Sequence, residues 1–184
     1  GEVTPVFVYT NYPTAELFIN GKSYGKQSKN NSSLKSRYRL MWMDAVYEPG
    51  EVKVVAYNKD GKAVAEKTVR TAGKPHHIEL VSNRNELTAD GKDLAYVTVK
   101  VVDKDGNLCP TDSRLIHFSV KGAGKFRAVA NGDPTNLEQF HLPKMHAFHG
   151  MLTAIVQAGE IAGDLVLTAK ASGVKTGTVH LQAK

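Results

Sequence analysis

Several groups of residues in this chain have types and spacings that chemistry could use. Asp103, Asp105 and Asn107 alternate around Gly106, as oxygen ligands do in a calcium loop. His141, His146 and His149 fall within one short stretch and could offer imidazoles to zinc. Cys109 is the only cysteine, so it could be a nucleophile but cannot form an intrachain disulfide. Gly122-Ala123-Gly124 has the look of a phosphate cradle. Tyr38, Trp42, Tyr47 and Tyr57 could stack on the apolar face of a sugar ring.

Each group can be set against what its chemistry demands. An EF-hand loop needs Gly at its sixth position and an acid at its twelfth. Counted from Asp103, the twelfth residue is Arg114, and the expectation is an ordinary hairpin turn. The histidine spacing matches no zinc motif, so these side chains are expected on a loop or the surface. Nothing near Cys109 in sequence would lower its pKa, which makes it structural. A phosphate cradle needs a helix whose N-terminal amides point at the anion. The residues after Gly124 read instead as a strand. Glycosidic hydrolysis needs two carboxyl groups flanking the scissile bond. Glu48, Glu51, Glu79, Glu86, Asp93 and Asp164 sit at turns and strand edges, and spacing pairs no two of them. Neither a catalytic residue nor a metal or cofactor site is therefore assigned. The aromatic group alone leaves a binding site open: Trp42, Tyr38 and Tyr47 are the candidate carbohydrate contacts, although a sole Trp in a small sandwich usually belongs to the core.

The charge balance is mildly basic, 24 Lys and Arg against 18 Asp and Glu. Its densest group is Lys22, Lys26, Lys29, Lys35, Arg37 and Arg39, followed by Tyr38 and Trp42. A nucleic-acid surface gathers such charges along one face with aromatics between them. A solvated hairpin with lysines outside and aromatics inside accounts for the same pattern, and nucleic acid is not expected as a partner. No apolar run approaches the roughly 18 residues of a membrane helix, so no membrane insertion is expected. The chain opens on Gly1 with no initiator Met and is expected to be part of a longer protein.

The elements that must position these residues are strands. Asn20-Gly21, Pro49-Gly50, Asp60-Gly61, Asp90-Gly91, Asp105-Gly106 and Asn131-Gly132 punctuate the chain with dipeptides that supply positive φ. Between them lie short alternating runs. Residues 6–9, 16–19, 22–25, 37–42, 51–57 and 63–70 read as strands of a first module. In the run 51–57, Val52, Val54 and Ala56 share one face. Residues 29–35 read as a polar loop. Thr71-Ala72-Gly73-Lys74-Pro75 breaks the pattern as a boundary would. In a second module, residues 77–81, 95–102, 115–120, 126–130, 150–157, 164–171 and 175–182 read as strands, and 135–146 as an irregular connection. Strands at this spacing without helices between them predict two all-β sandwiches, over 1–73 and 76–184.

With these residues in view, the chain resembles a known family. Tyr9-Thr10-Asn11, Ala15-Glu16-Leu17-Phe18-Ile19-Asn20-Gly21-Lys22-Ser23-Tyr24-Gly25, and Trp42 with Tyr47-Glu48-Pro49-Gly50-Glu51-Val52 are similar to the module that follows the catalytic barrel in many bacterial family 2 glycoside hydrolases. Ala56-Tyr57 and Val69-Arg70-Thr71-Ala72-Gly73 continue it. Leu87-Thr88-Ala89-Asp90-Gly91-Lys92-Asp93-Leu94, Val97-Thr98-Val99, Asp103-Lys104-Asp105-Gly106, Asn131-Gly132-Asp133-Pro134 and Ala147-Phe148-His149-Gly150 resemble the C-terminal immunoglobulin-like domain of the same enzymes. The resemblance implies two consecutive immunoglobulin-like sandwiches. It also implies a parent β-galactosidase-like enzyme of the Bacteroides type, exported to the periplasm or cell surface. Such enzymes hydrolyse with retention, using two glutamates on a (β/α)₈ barrel. That barrel takes about 250 residues by itself, and no alternation of strands and helices is present here. The implied role is a non-catalytic accessory one, with the parent barrel as partner. The alternative is a carbohydrate-binding module that targets the parent to a polysaccharide.

Overall fold

The computed structural model describes all residues, Gly1–Lys184. Every regular element is a strand, and the chain divides into two compact units, Gly1–Thr71 and Ala72–Lys184. The division lies between Thr71 and Ala72. Ala72 and Gly73 go with the second unit, because Ala72 packs on its core and the Gly73 amide donates to Asp103 Oδ2 at 2.7 Å.

The first unit contains β1 (Val6–Val8), β2 (Thr14–Ile19), β3 (Lys22–Ser28), β4 (Leu40–Trp42), β5 (Glu51–Tyr57) and β6 (Ala63–Arg70). An antiparallel sheet in the order β3-β2-β5-β6 faces a two-stranded sheet, β1-β4. The alternation in β2 buries Ala15, Leu17 and Ile19 completely or nearly so. Those three residues pair with Ala56, Val54 and Val52, so the apolar face legible in β5 is the inner face. Leu40, Trp42 and Ala45 complete the core.

The β2–β3 turn shows how sequence dictates this geometry. Asn20 and Gly21 both take positive φ, 49° and 79°, as a two-residue hairpin turn with the right-handed strand twist requires. The Asn20 side chain then accepts from the Glu51 amide at 2.8 Å and donates to the Pro49 carbonyl at 3.2 Å. Gly50 lies so close to that amide that a Cβ there would collide with it. Two turns distant in sequence are thereby locked to each other. The strand expected from Arg37 begins only at Leu40. Residues 30–37 fold back on themselves instead: the Arg37 amide donates to Ser33, and its guanidinium to the Asn31 carbonyl.

The second unit contains β7 (His77–Ser82), β8 (Glu86–Leu87), β9 (Leu94–Val102), β10 (Leu115–Gly122), β11 (Gly124–Ala130), β12 (Lys144–His146), β13 (Met151–Ala158), β14 (Gly163–Lys170) and β15 (Gly177–Ala183). Two sheets, β11-β13-β9-β7 and β12-β10-β14-β15-β8, make a sandwich. All pairings are antiparallel except β8 with β15. Ala95, Val97, Val99 and Val101 of β9 sit inside with Leu152, Ala154 and Val156 of β13 and Leu165, Leu167 and Ala169 of β14. The connection expected to be irregular over 135–146 ends in β12, which pairs with the start of β10.

Candidate functional site

Trp42, the central candidate for a sugar platform, is a core residue. It is 1% exposed, and its indole N–H donates to the Gly25 carbonyl at 3.1 Å. The alternation of β4 turns Leu40 and Trp42 inward and leaves Met41 outward. Trp42 therefore presents no face to a ligand, and that expectation is corrected.

The tyrosines are dispersed. Tyr57 donates its hydroxyl to Glu16 Oε2 at 2.9 Å, and Lys26 Nζ stands 4.0 Å from its ring centroid. Burial and the neighbouring Glu16 carboxylate push the Tyr57 phenol up. Tyr47 is 45% exposed and shares a 3.2 Å hydrogen bond with the Thr71 hydroxyl. Tyr38 is 66% exposed beside the Arg37 guanidinium. No two of these four rings stack on one another. The basic residues around them are held locally. Lys29 donates to the Thr10 carbonyl and the Arg39 Nε–H to the Lys35 carbonyl.

Asp103 is the one buried charged residue of the chain. Its carboxylate accepts from the Gly73 amide, the Asp105 and Asn107 amides at 2.9 Å each, and the Asn107 side chain at 3.0 Å. These donors, Gly73 first, hold its carboxyl far below the ordinary carboxylate range. In the run that resembles a calcium loop, Asp103 is thus a side-chain clamp on its own turn, while Asp105 is exposed.

The remaining groups follow the same logic. No three His, Cys, Asp or Glu side chains gather closely enough to hold a metal ion. His146 pairs with Glu138 at 3.1 Å, while His149 lies against the Phe148 ring and contacts the Pro110 carbonyl. Burial, aided by Asp103 and Asp112, pushes the Cys109 thiol up, the opposite of what a nucleophile needs. Burial also works against ionisation of Asp112, but hydrogen bonds from Arg114 outweigh it and hold that carboxyl low. Gly122 and Gly124 end β10 and begin β11 where the chain crosses between sheets. A Cβ on Gly122 would overlap the Asp164 carbonyl, and one on Gly124 would overlap the Leu165 side chain. Close strand approach, rather than anion binding, requires these glycines.

Of Glu48, Glu51, Glu79, Glu86, Asp93 and Asp164, all but Asp164 have a side-chain partner within the chain. Glu51 pairs with Arg70 at 2.6 Å, Glu79 with Lys100 at 3.0 Å, Glu86 with Lys184 and Asp93 with Arg84. Glu48 accepts from Asn20 at 3.3 Å. What sequence reasoning missed is an apolar groove of about 390 Å³ in the first unit, between β1 and the β5–β6 hairpin. Its only sequence signal is the apolar inner face of β6, Ala65 and Val69, in register with Ala56 and Val52.

Comparison with known proteins places this architecture. Residues 78–180 match the family model of glycoside hydrolase family 2 C-terminal domain 5, and residues 1–65 match a domain of unknown function, DUF4982. The chain is 42% identical over 176 residues to the β-galactosidase BoGH2A of Bacteroides ovatus, covering 96% of this chain and 20% of that protein. It is 30% identical to a β-galactosidase of Thermoanaerobacter pseudethanolicus, covering 90% and 22%. Among solved structures, a β-glycosidase from Bacteroides vulgatus superposes with a TM-score of 0.90 at 28% identity, over 100% of this chain and 23% of that one. A family 2 glycosyl hydrolase from Bacteroides cellulosilyticus superposes with a TM-score of 0.85 at 33% identity, over 98% and 23%. The chain spans about a fifth of the length of the relatives it matches. With more than half of its residues matched by that family model, the chain belongs to the C-terminal domains of glycoside hydrolase family 2.

Proposed function

We propose that this chain is a non-catalytic accessory region of a β-galactosidase-like family 2 enzyme, supporting the catalytic barrel, the rim of its active site or its oligomer contacts. The observation that carries this reading is the pairing of coverages. Nearly all of this chain, 96%, aligns with only 20% of a β-galactosidase. Export of the parent to the periplasm or cell surface belongs to the same proposal and is read out by cell fractionation.

The test has two arms. The isolated chain, assayed with an aryl β-galactoside, is expected to give no turnover above solvent, and measurable turnover would end the non-catalytic reading. The parent enzyme lacking these residues is expected to lose stability, activity or its oligomeric state. Full retention of all three would remove the accessory role. The carbohydrate-binding alternative now rests on Tyr38 and Tyr47. Calorimetric titration with galactosides and polysaccharides is expected to give no heat. Saturable heat that disappears in Tyr38→Ala or Tyr47→Ala would replace the scaffold reading with that alternative.

A further inference from the structure

The sandwich of the first unit lacks one strand. Its two sheets have unequal width, with four strands facing two. Neighbouring strands lie about 4.8 Å apart, so β1-β4 cannot cover β3-β2-β5-β6. The β4 strand lies over β2 and β3. Val6 and Val8 of β1 pack on the core. Nothing lies over β6. Its inner face, fixed by register with β5, consists of Ala65, Lys67 and Val69. All three are exposed, Val69 at 62%, in positions that a complete sandwich would bury.

The apolar groove is this missing place. Five consecutive residues of the chain, 6–10, line one wall of it. A strand that presents a face contributes alternate residues, whereas one that presents its edge contributes consecutive ones. The groove is therefore bounded by the free edge of β1, whose other edge is occupied by β4. Its floor is Val52, Val54 and Ala56 of β5 with Ala65 and Val69 of β6. An unpaired edge above an apolar floor is what strand addition requires: main-chain hydrogen bonds along the edge and alternate side chains directed down.

We infer that an extended segment of the parent polypeptide docks in this groove, adding a strand to the free edge of β1 and covering β6. This rests on the accessory reading above. The occupant is assigned to the parent because some four fifths of each relative lies outside the region this chain matches. Charge sets the character of the segment. Lys67 projects from the inner face between two apolar residues, and neither it nor Glu66, which also lines the groove, takes part in the unit's one ion pair between side chains, Arg70 with Glu51. The docked strand carries apolar residues at alternate positions and a carboxylate opposite Lys67.

Hydrogen exchange, compared between the 184-residue chain and the intact parent enzyme, tests this. Amides within residues 6–10 that face the groove are expected to exchange at least about 100-fold more slowly in the parent, a larger change than at β2, with amides of β9 and β13 in the second unit little changed. Lys67→Glu in the parent is expected to return about tenfold of that protection, while leaving the melting temperature of the isolated chain unchanged. If residues 6–10 exchange alike in both while other surfaces of the chain become protected, the groove is not the docking site and the accessory reading stands. If no part of the chain gains protection, both fall. Protection already present in the isolated chain, and lost on dilution, would make the occupant a second copy and overturn the assignment to the parent.

Discussion

Asp103 concentrates more hydrogen-bond donors on one side chain than any other residue here, and its ionisation is tied to folding. The carboxyl is held far below its unfolded value by the Gly73, Asn107 and Asp105 donors. A depressed folded pKa means the unfolded chain takes up the proton first. The stabilisation is therefore complete above the unfolded carboxyl value of about 3.9 and drains away as pH falls below it toward the folded value. Asp103→Asn is expected to lower the melting temperature at pH 7 by several degrees and to narrow the gap between melts at pH 7 and pH 3. The gap would not close, because Asp90, Asp93 and Asp133 are also held low by backbone amides. An unchanged gap would show that the clamp carries no pH-dependent stability. Trp42 gives a second test at this scale. Trp42→Ala is expected to cost about 3–5 kcal/mol by emptying the core. Trp42→Phe keeps most of the packing and leaves the Gly25 carbonyl without its donor, at about 1 kcal/mol. Urea denaturation of both variants decides this. Indifference to either would contradict the burial of Trp42.

Strands and turns carry the next set of consequences. The crossing from β10 to β11 depends on glycines for space, whereas the turn at Gly106 depends on glycine for φ alone. Gly106 has a φ of 82° with nothing within 4 Å of a Cβ placed there. Gly124 has ordinary φ, but its Cβ would press into Leu165 and approach the Gln157 carbonyl at 2.5 Å. Gly106→Ala is expected to cost about 1 kcal/mol and Gly124→Ala about 2–3 kcal/mol, measured as shifts in denaturation midpoint. The reverse order would mean that β11 can move away from β14 without cost. The same elements show what sequence could convey. Asn20-Gly21 announced its hairpin because positive φ at two successive residues tolerates few side chains. The nine-residue β9 was legible from β-branched alternation. By contrast β8 and β12 hold two and three residues, too few for any period to register. Arg37-Tyr38-Arg39 alternates as a strand would, yet guanidinium bonds to the Asn31 and Lys35 carbonyls tie it into the preceding loop. The groove left a sequence signal only in its floor. Ala65 and Val69 reveal an apolar face, but whether another strand covers that face depends on the width of the opposing sheet.

At the scale of the molecule the two units are unequal in how much they bury. The unit Ala72–Lys184 has two sheets of four and five strands around twenty-one buried core residues. The unit Gly1–Thr71 has seven buried core residues beneath a two-stranded sheet. Small domains bury a smaller fraction of their surface and hold correspondingly little margin. Stability of the isolated chain is therefore expected to be distributed unevenly. Under native conditions amides of β2 and β5 would open by local unfolding of the first unit, and those of β9, β13 and β14 only at the cost of global unfolding. Residues 72–184 expressed alone are expected to melt cooperatively, at a higher temperature than residues 1–71 expressed alone. Leu167→Ala, deep in the second core, should cost about 2–5 kcal/mol and lower the second transition only. A first unit as stable as the second would indicate that its open groove exacts no cost. A marginal first unit would instead be one whose fold is completed by the parent, because covering the β6 inner face supplies the burial that its own two-stranded sheet cannot. The difference in β2 and β5 opening between the isolated chain and the parent enzyme measures how much the rest of that enzyme contributes to folding this unit.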